Sequence, residues 1–120
     1  MQKMIVKKPW GTYEVLLDEP NYKVKRIVVH PYERFSLQYH KHREEHCVVV
    51  EGDGIVQVNE KEYPAYVRTH WVILPTQKHR ATAGPNGLIF IETQTGDCRE
   101  EDIVRLEDDY GRLDSSEVSV

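Results

Sequence analysis

Cysteine is scarce in this chain. Only Cys47 and Cys98 occur in 120 residues, one in an apolar run and one in a polar segment. That pattern excludes a disulfide framework and fits reduced thiols in the cytoplasm. Long apolar runs are also missing, so no segment reads as a membrane-spanning helix. The opening "MQKMIVKKPW" has too short an apolar core for a signal peptide. A cytoplasmic protein with no membrane partner is expected. Basic charge is not in excess: 16 Lys and Arg stand against 20 Asp and Glu, a net charge of −4. That argues against nucleic acid as the main partner while leaving room for a local basic pocket. Helical periodicity, internal repeats and low-complexity tracts are not found either.

What the chain does contain is a series of short β-rich runs separated by turn residues. "TYEVLL" (12–17) closes at "DEPN", and "YKVKRIVVH" breaks at Pro31. "RFSLQYH" leads through the charged link "KHRE" to "EHCVVV". The "EGDG" that follows reads as a hairpin into "IVQV", which turns at "NEK" into "EYPAYV". "HWVIL" and "HRATA" flank Pro75, and "GPNG" precedes "LIFIETQT". Such spacing predicts an all-β sandwich or barrel in one domain over 1–120. The first half of the acidic tail reads as a short strand or helical turn on the barrel edge, and 114–120 as a loose end.

Alternation along these strands sorts their faces. Ser36, Gln38 and His40 share one face of "RFSLQYH", opposite Phe35, Leu37 and Tyr39. Glu45, Cys47 and Val49 share a face of the next strand, opposite His46, Val48 and Val50. Gln38 and His40 stand side by side, a four-residue connection brings Glu45 beside them, and a distant strand supplies His79. Two imidazoles, a carboxylate and an amide oxygen suit a borderline divalent metal, zinc first, with manganese, iron, cobalt and nickel compatible. His42, in the connection, reads equally as a ligand in place of Gln38, a substrate contact or a solvent-exposed histidine. His46 faces away and reads as a packing or interface residue. Lys41 and Arg43 flank the first ligands, and Lys78 and Arg80 flank His79; these basic pairs are candidates for holding a phosphate.

Taken together, Q-x-H-x4-E-x6-G from Gln38 to Gly52 and "LPTQKH" (74–79) resemble the two cupin motifs, with glutamine for the first histidine. "KPWGTYEVLL", "YKVKRIVVHPYERFSLQYHKHREEHCVVVEG" and "ETQTGDCREEDIVRLEDDYGR" resemble, in order, the opening, centre and close of the cupin domain of type II mannose-6-phosphate isomerases. That domain also forms the C-terminal part of bifunctional mannose-1-phosphate guanylyltransferases, whose glycine-rich nucleotidyltransferase half is not among these residues. The resemblance implies a single-domain cupin, a double-stranded β-helix or jelly-roll barrel that pairs as a homodimer. It also implies a metal-dependent isomerase interconverting mannose 6-phosphate and fructose 6-phosphate. Arg43 and Arg80 match the family's pattern as sugar-phosphate contacts, Arg80 being expected also to serve in catalysis, and Glu92 and Gln94 match it as cavity residues. Glu92 is then either the base or a partner orienting a ligand histidine. Two alternatives stay open: a non-catalytic sugar- or sugar-nucleotide-binding cupin beside a separate guanylyltransferase, and an iron-dependent cupin oxygenase. The sequence departs from the family in four places. Tyr32 stands for glycine, Cys47 for tryptophan and Ala83 for asparagine. "PAGTPH" becomes "LPTQKH", which moves the proline and loses the glycine.

Overall fold

A computed structural model describes residues 4–113. The expected loose end at 114–120 lies outside the described residues. Nine strands carry the regular structure: β1 (Met4–Lys8), β2 (Gly11–Asp18), β3 (Tyr22–Val29), β4 (Leu37–Tyr39), β5 (Arg43–Val58), β6 (Lys61–Tyr66), β7 (His70–Ile73), β8 (His79–Gly96) and β9 (Val104–Glu107). Among the described residues, no helix is long and apolar enough to cross a membrane. β1, an edge strand the sequence reading passed over, pairs antiparallel with β2. The short strand expected in the tail is β9, which pairs with β4.

Two long strands build the curled sheet. The first half of β5 pairs with the second half of β8, from Arg43↔Gly96 to Gly52↔Leu88; its second half pairs with the first half of β8, from Gly54↔Ala83 to Val58↔His79. One wall therefore runs β1-β2-β3-β8-β5-β7, and the other β9-β4-β8-β5-β6. "EGDG" is consequently not a hairpin. It is a bulged corner at which β5 crosses from one wall to the other, with Asp53 opposing residues 84–87 of "GPNG". Gly52 has φ +81, and a Cβ there would overlap the Gly87 carbonyl oxygen, so close passage over β8 is what requires glycine. The expected turn at "NEK" does reverse the chain, with Asn59 at φ 54 joining β5 to β6.

Between the walls lies the core. Alternation places Ile27 and Val29 of β3, Cys47 and Val49 of β5, and Leu88 and Phe90 of β8 inside, joined by Trp10, Val56 and Ala81. The same inward faces continue toward one end of the barrel as polar residues: Lys23 and Lys25, Arg43 and Glu45, Glu92 and Gln94. Apolar packing at one end of each strand thus fixes polar side chains at the other.

Candidate metal centre

His40, Glu45 and His79 come together at that polar end. They are 3%, 2% and 5% exposed. One ligand atom from each lies within 4.8 Å of the others. Nε2 of His40 is 3.4 Å from Oε2 of Glu45, and Nε2 of His79 is 3.4 Å from Oε1 of the same carboxylate. Each imidazole is held from behind. Nδ1 of His40 donates to the Asp102 carbonyl oxygen at 2.6 Å, and Nδ1 of His79 to that of Gln77 at 3.0 Å. These bonds leave both Nε2 lone pairs directed at Glu45, the tautomer that metal-binding histidines use. Burial, then the charges of Arg43 and His79, push the His40 pKa down to about 3, so the ring is neutral at physiological pH. Two imidazoles and a carboxylate converging on one point fit a divalent transition metal.

Gln38 joins this group from β4, where it is the antiparallel partner of His79. Its Nε2 is 3.4 Å from Nε2 of His40, and its Oε1 accepts from the Ser36 hydroxyl at 2.6 Å. A half-turn of the amide exchanges these atoms and points the oxygen at the histidines, with the serine hydroxyl then accepting. The alternation expected for this stretch holds for Gln38 and His40. It fails at Phe35, which precedes the strand, lines the pocket and packs on Trp10 at 5.5 Å between ring centroids.

Behind the trio lies Glu92. Its Oε1 accepts from Gln94 Nε2 at 2.6 Å, and the Cys47 thiol lies 4.0 Å from its Oε2. Burial, followed by the neighbouring Glu45 charge, raises its pKa to about 7. Glu92 orients neither histidine, since backbone carbonyls do that. Gln94 is fully buried behind Glu92 and does not line the pocket.

Only one of the four expected basic contacts reaches the pocket. Arg43 shares the inward face of Glu45, donating from Nε to Glu45 Oε2 at 2.9 Å and from Nη2 to His40 Nε2 at 3.2 Å. Arg80 follows His79 on the strand and so points the other way. It is buried against the Phe35 carbonyl and Glu107 and does not line the pocket that holds the trio. Lys78 sits outside in a 3.7 Å pair with Glu60. Lys41 and His42 line a separate surface depression, their backbone amides donating to the Asp102 carboxylate at 2.9 Å each. His42, with a side chain 58% exposed, is not a ligand in this arrangement. His46 points outward and pairs with Glu44 at 2.6 Å, as its face implied.

The cations that do line the pocket, of about 120 Å³, come from elsewhere: Lys8 of β1, Lys25 of β3, Arg105 of β9, and Arg112. With Arg43 they make five positive side chains against the carboxylates of Glu45, Glu92 and Glu100. The lysine signal was in the sequence, because Lys23 and Lys25 alternate with the core residues Ile27 and Val29. Arg105 and Arg112 carried no local signal.

The barrel and its buried trio define a cupin. An RmlC-like cupin from Shewanella frigidimarina superposes with a TM-score of 0.74 at 23% identity, covering 83% of this chain and 88% of its own. The capsular polysaccharide assembling protein CapF of Staphylococcus aureus gives 0.77 at 17% identity, covering 88% of this chain and 34% of CapF. Within that class, the chain belongs to the mannose-6-phosphate isomerase C-terminal family, whose model matches residues 1–108. A mannose-1-phosphate guanylyltransferase of Klebsiella pneumoniae is 36% identical over 108 residues, 88% of this chain and 23% of that protein. The alginate biosynthesis protein AlgA of Pseudomonas aeruginosa is 40% identical over 109 residues, 89% of this chain and 23% of AlgA. The chain thus spans about a quarter of the length of these relatives, which are enzymes of sugar metabolism.

Proposed function

We propose that the protein is a metal-dependent mannose-6-phosphate isomerase. The observation that carries this reading is the placement of Glu92, a buried carboxylate with a pKa near neutrality, beside a metal-capable trio in a cation-lined pocket. His40, Glu45 and His79, with the Gln38 amide oxygen, would hold the ion, zinc first among the candidates. A bound divalent ion would supply a Lewis acid for the sugar's carbonyl.

The remaining work falls to this chain's own groups. Glu92 removes the C2 proton of the open-chain aldose and returns it at C1, while the hydroxyl proton passes from O2 to O1. Gln94 ties down Glu92 Oε1, which leaves Oε2 to carry the proton. A base with a pKa near 7 is half ionised at neutral pH, the condition under which proton transfer in both directions is efficient. Arg43 pairs with Glu45 and fixes its orientation. Trp10 and Phe35 form an apolar wall on which the sugar ring or chain can rest.

A coupled assay with mannose 6-phosphate and fructose 6-phosphate, run with each candidate metal, tests the proposal. Turnover in either direction is expected; no turnover from protein shown to be metal-loaded removes it. A second reading has one observation in its favour. Several relatives bear the name mannose-1-phosphate guanylyltransferase and this chain spans only 23% of their length, which fits a sugar-phosphate-binding module serving a separate active site. Ligand-dependent thermal shifts without turnover would select it. Homodimerisation belongs to the same proposal, supported by the exposed Val48 and Val50 of β5, Val72 of β7 and Leu74 just after it.

A further inference from the structure

Buried lysines are rare unless paired, and β3 carries two at this end of the barrel, of which Lys25 lines the pocket. Lys23 and Lys25 of β3 are 8% and 4% exposed. Both sit on the inner face of the barrel, whereas their carboxylate partner is part-exposed. Glu100 belongs to the link between β8 and β9, and its side chain is 44% exposed. Its carboxylate lies 3.0 Å from the Lys23 ammonium and 2.7 Å from that of Lys25, and it accepts from the Tyr13 hydroxyl at 3.4 Å. One carboxylate therefore faces two ammonium groups.

Further cations line the same pocket. Among the described residues, neither Lys8 nor Arg105 forms an ion pair, and Arg105 Nε is buried without a hydrogen-bond partner. Burial, then the charges of Arg105 and Arg112, hold the Lys8 pKa below its ordinary value, so these cations are close enough to repel one another.

We infer that this end of the pocket is a subsite for the dianionic head of a phosphate monoester, filled in the free protein by the Glu100 carboxylate, which the ligand displaces. A phosphate monoester brings about −1.5 to −2 charges and three strong acceptor oxygens, where Glu100 brings one charge and two oxygens. Glu100, already half in water, leaves at little desolvation cost. The lysines cannot follow it, so an uncharged ligand would strand two buried cations. The subsite opens into the cavity that runs to His40 and Glu45, which gives the organic part of the monoester somewhere to lie. The inference rests on the proposed isomerase for what that organic part is, and on the pocket's charges for the phosphate.

Isothermal titration calorimetry with inorganic phosphate, a hexose 6-phosphate and the unphosphorylated hexose tests it, on the wild type and on Glu100→Gln, Lys25→Met and Lys8→Met. The hexose phosphate should bind more tightly than inorganic phosphate, and the hexose should not bind measurably. Glu100→Gln should tighten both phosphates about tenfold, and either lysine variant should weaken them by a similar factor. If Lys25→Met fails to fold, Lys8→Met on the edge strand carries the same expectation, with thermal midpoints as the folding check. Equal or weaker phosphate binding by Glu100→Gln overturns the inference, and so does a hexose that binds as well as its phosphate. Inorganic phosphate binding more tightly than the hexose phosphate overturns the monoester assignment. The expected binding pattern without isomerase turnover would remove the isomerase and leave the subsite. Turnover with phosphate affinity unchanged in Glu100→Gln and Lys8→Met would do the reverse.

Discussion

Single residues divide here into those that hold and those that react, and burial separates them. His40 and Glu45 are buried with their lone pairs turned on one another, so His40→Ala should abolish metal binding and turnover together. Glu92 bonds neither histidine, so Glu92→Gln should keep its metal while turnover falls by about 10²- to 10⁴-fold; metal content and rate measured on the same sample decide this, and loss of both would make Glu92 a structural residue. Thr76 stands where the family pattern has glycine, and it keeps a glycine-like backbone with φ 73 while its amide donates to the His40 carbonyl at 2.7 Å. Thr76→Gly should therefore relieve strain and raise the thermal midpoint by roughly 2 to 4 °C, from about 0.5 to 1 kcal/mol; a lowered midpoint would contradict that. His40 and Glu45 were legible from strand alternation and spacing, and His79 from the motif in which it stands. Three of the four basic residues expected to hold a phosphate lie outside the pocket, because neighbours in sequence are not neighbours in space: one step along a strand turns a side chain to the opposite face. Arg80, one step from His79, points away, while Arg43, two steps from Glu45, points in.

At the level of elements, the link from Asp97 to Asp102 fastens the open end of the barrel. Its carbonyls accept from Lys23, Arg43 and His40, its Glu100 carboxylate caps the lysines, and the Asp102 carboxylate holds the amides of Lys41 and His42. Asp102→Ala leaves every proposed ligand in place but frees the segment that orients His40, and should weaken metal affinity about 10- to 100-fold, as read by competition with a chelating dye. Unchanged affinity would show that the carbonyl contact needs no such anchor. The cap also sets an acid limit. Burial alone would raise the Glu100 pKa, but Lys25 and Lys23 bring it down to about 2 from 4.5. A carboxylate depressed in the folded state contributes stability above its unfolded pKa and loses it as pH falls through the folded one. The stability gap between wild type and Glu100→Gln should thus be constant above about pH 5 and close as pH falls toward 2; chemical denaturation across that range checks it, and a gap that widens in acid would contradict the pairing. These contacts were not legible in the sequence, since some run through backbone carbonyls that any residue carries and those of the Glu100 and Asp102 carboxylates join residues far apart in the chain. The corner at Gly52 was half legible. Two glycines do mark a special backbone, but composition does not distinguish a reversal from a close crossing. Gly52→Ala should cost roughly 2 to 4 kcal/mol, seen as a fall in the denaturation midpoint, and near-neutral behaviour would argue against the crossing.

For the whole molecule, the architecture follows from two long strands that each serve both walls, so that one set of inward faces is apolar at one end and polar at the other. Short alternating runs were enough to predict an all-β barrel, and the motif order was enough for the cupin class. Register across the corner was not, because it depends on pairings far apart in sequence. The exposed valines on the outer face of β5 and β7 extend the account to assembly: Val48→Lys should turn the proposed dimer into a monomer in sedimentation, and an unchanged profile would remove that face from the proposed interface. The proposed function, however, depends on an ion held between His40, Glu45 and His79. Elemental analysis of the purified protein and of a His40→Ala/Glu45→Gln/His79→Ala variant, each reconstituted with zinc and dialysed, tests that most directly. The account predicts about one ion per wild-type chain, as a single closed set of ligands requires, and essentially none in the variant; a metal-free wild type, or equal metal in both, would contradict it.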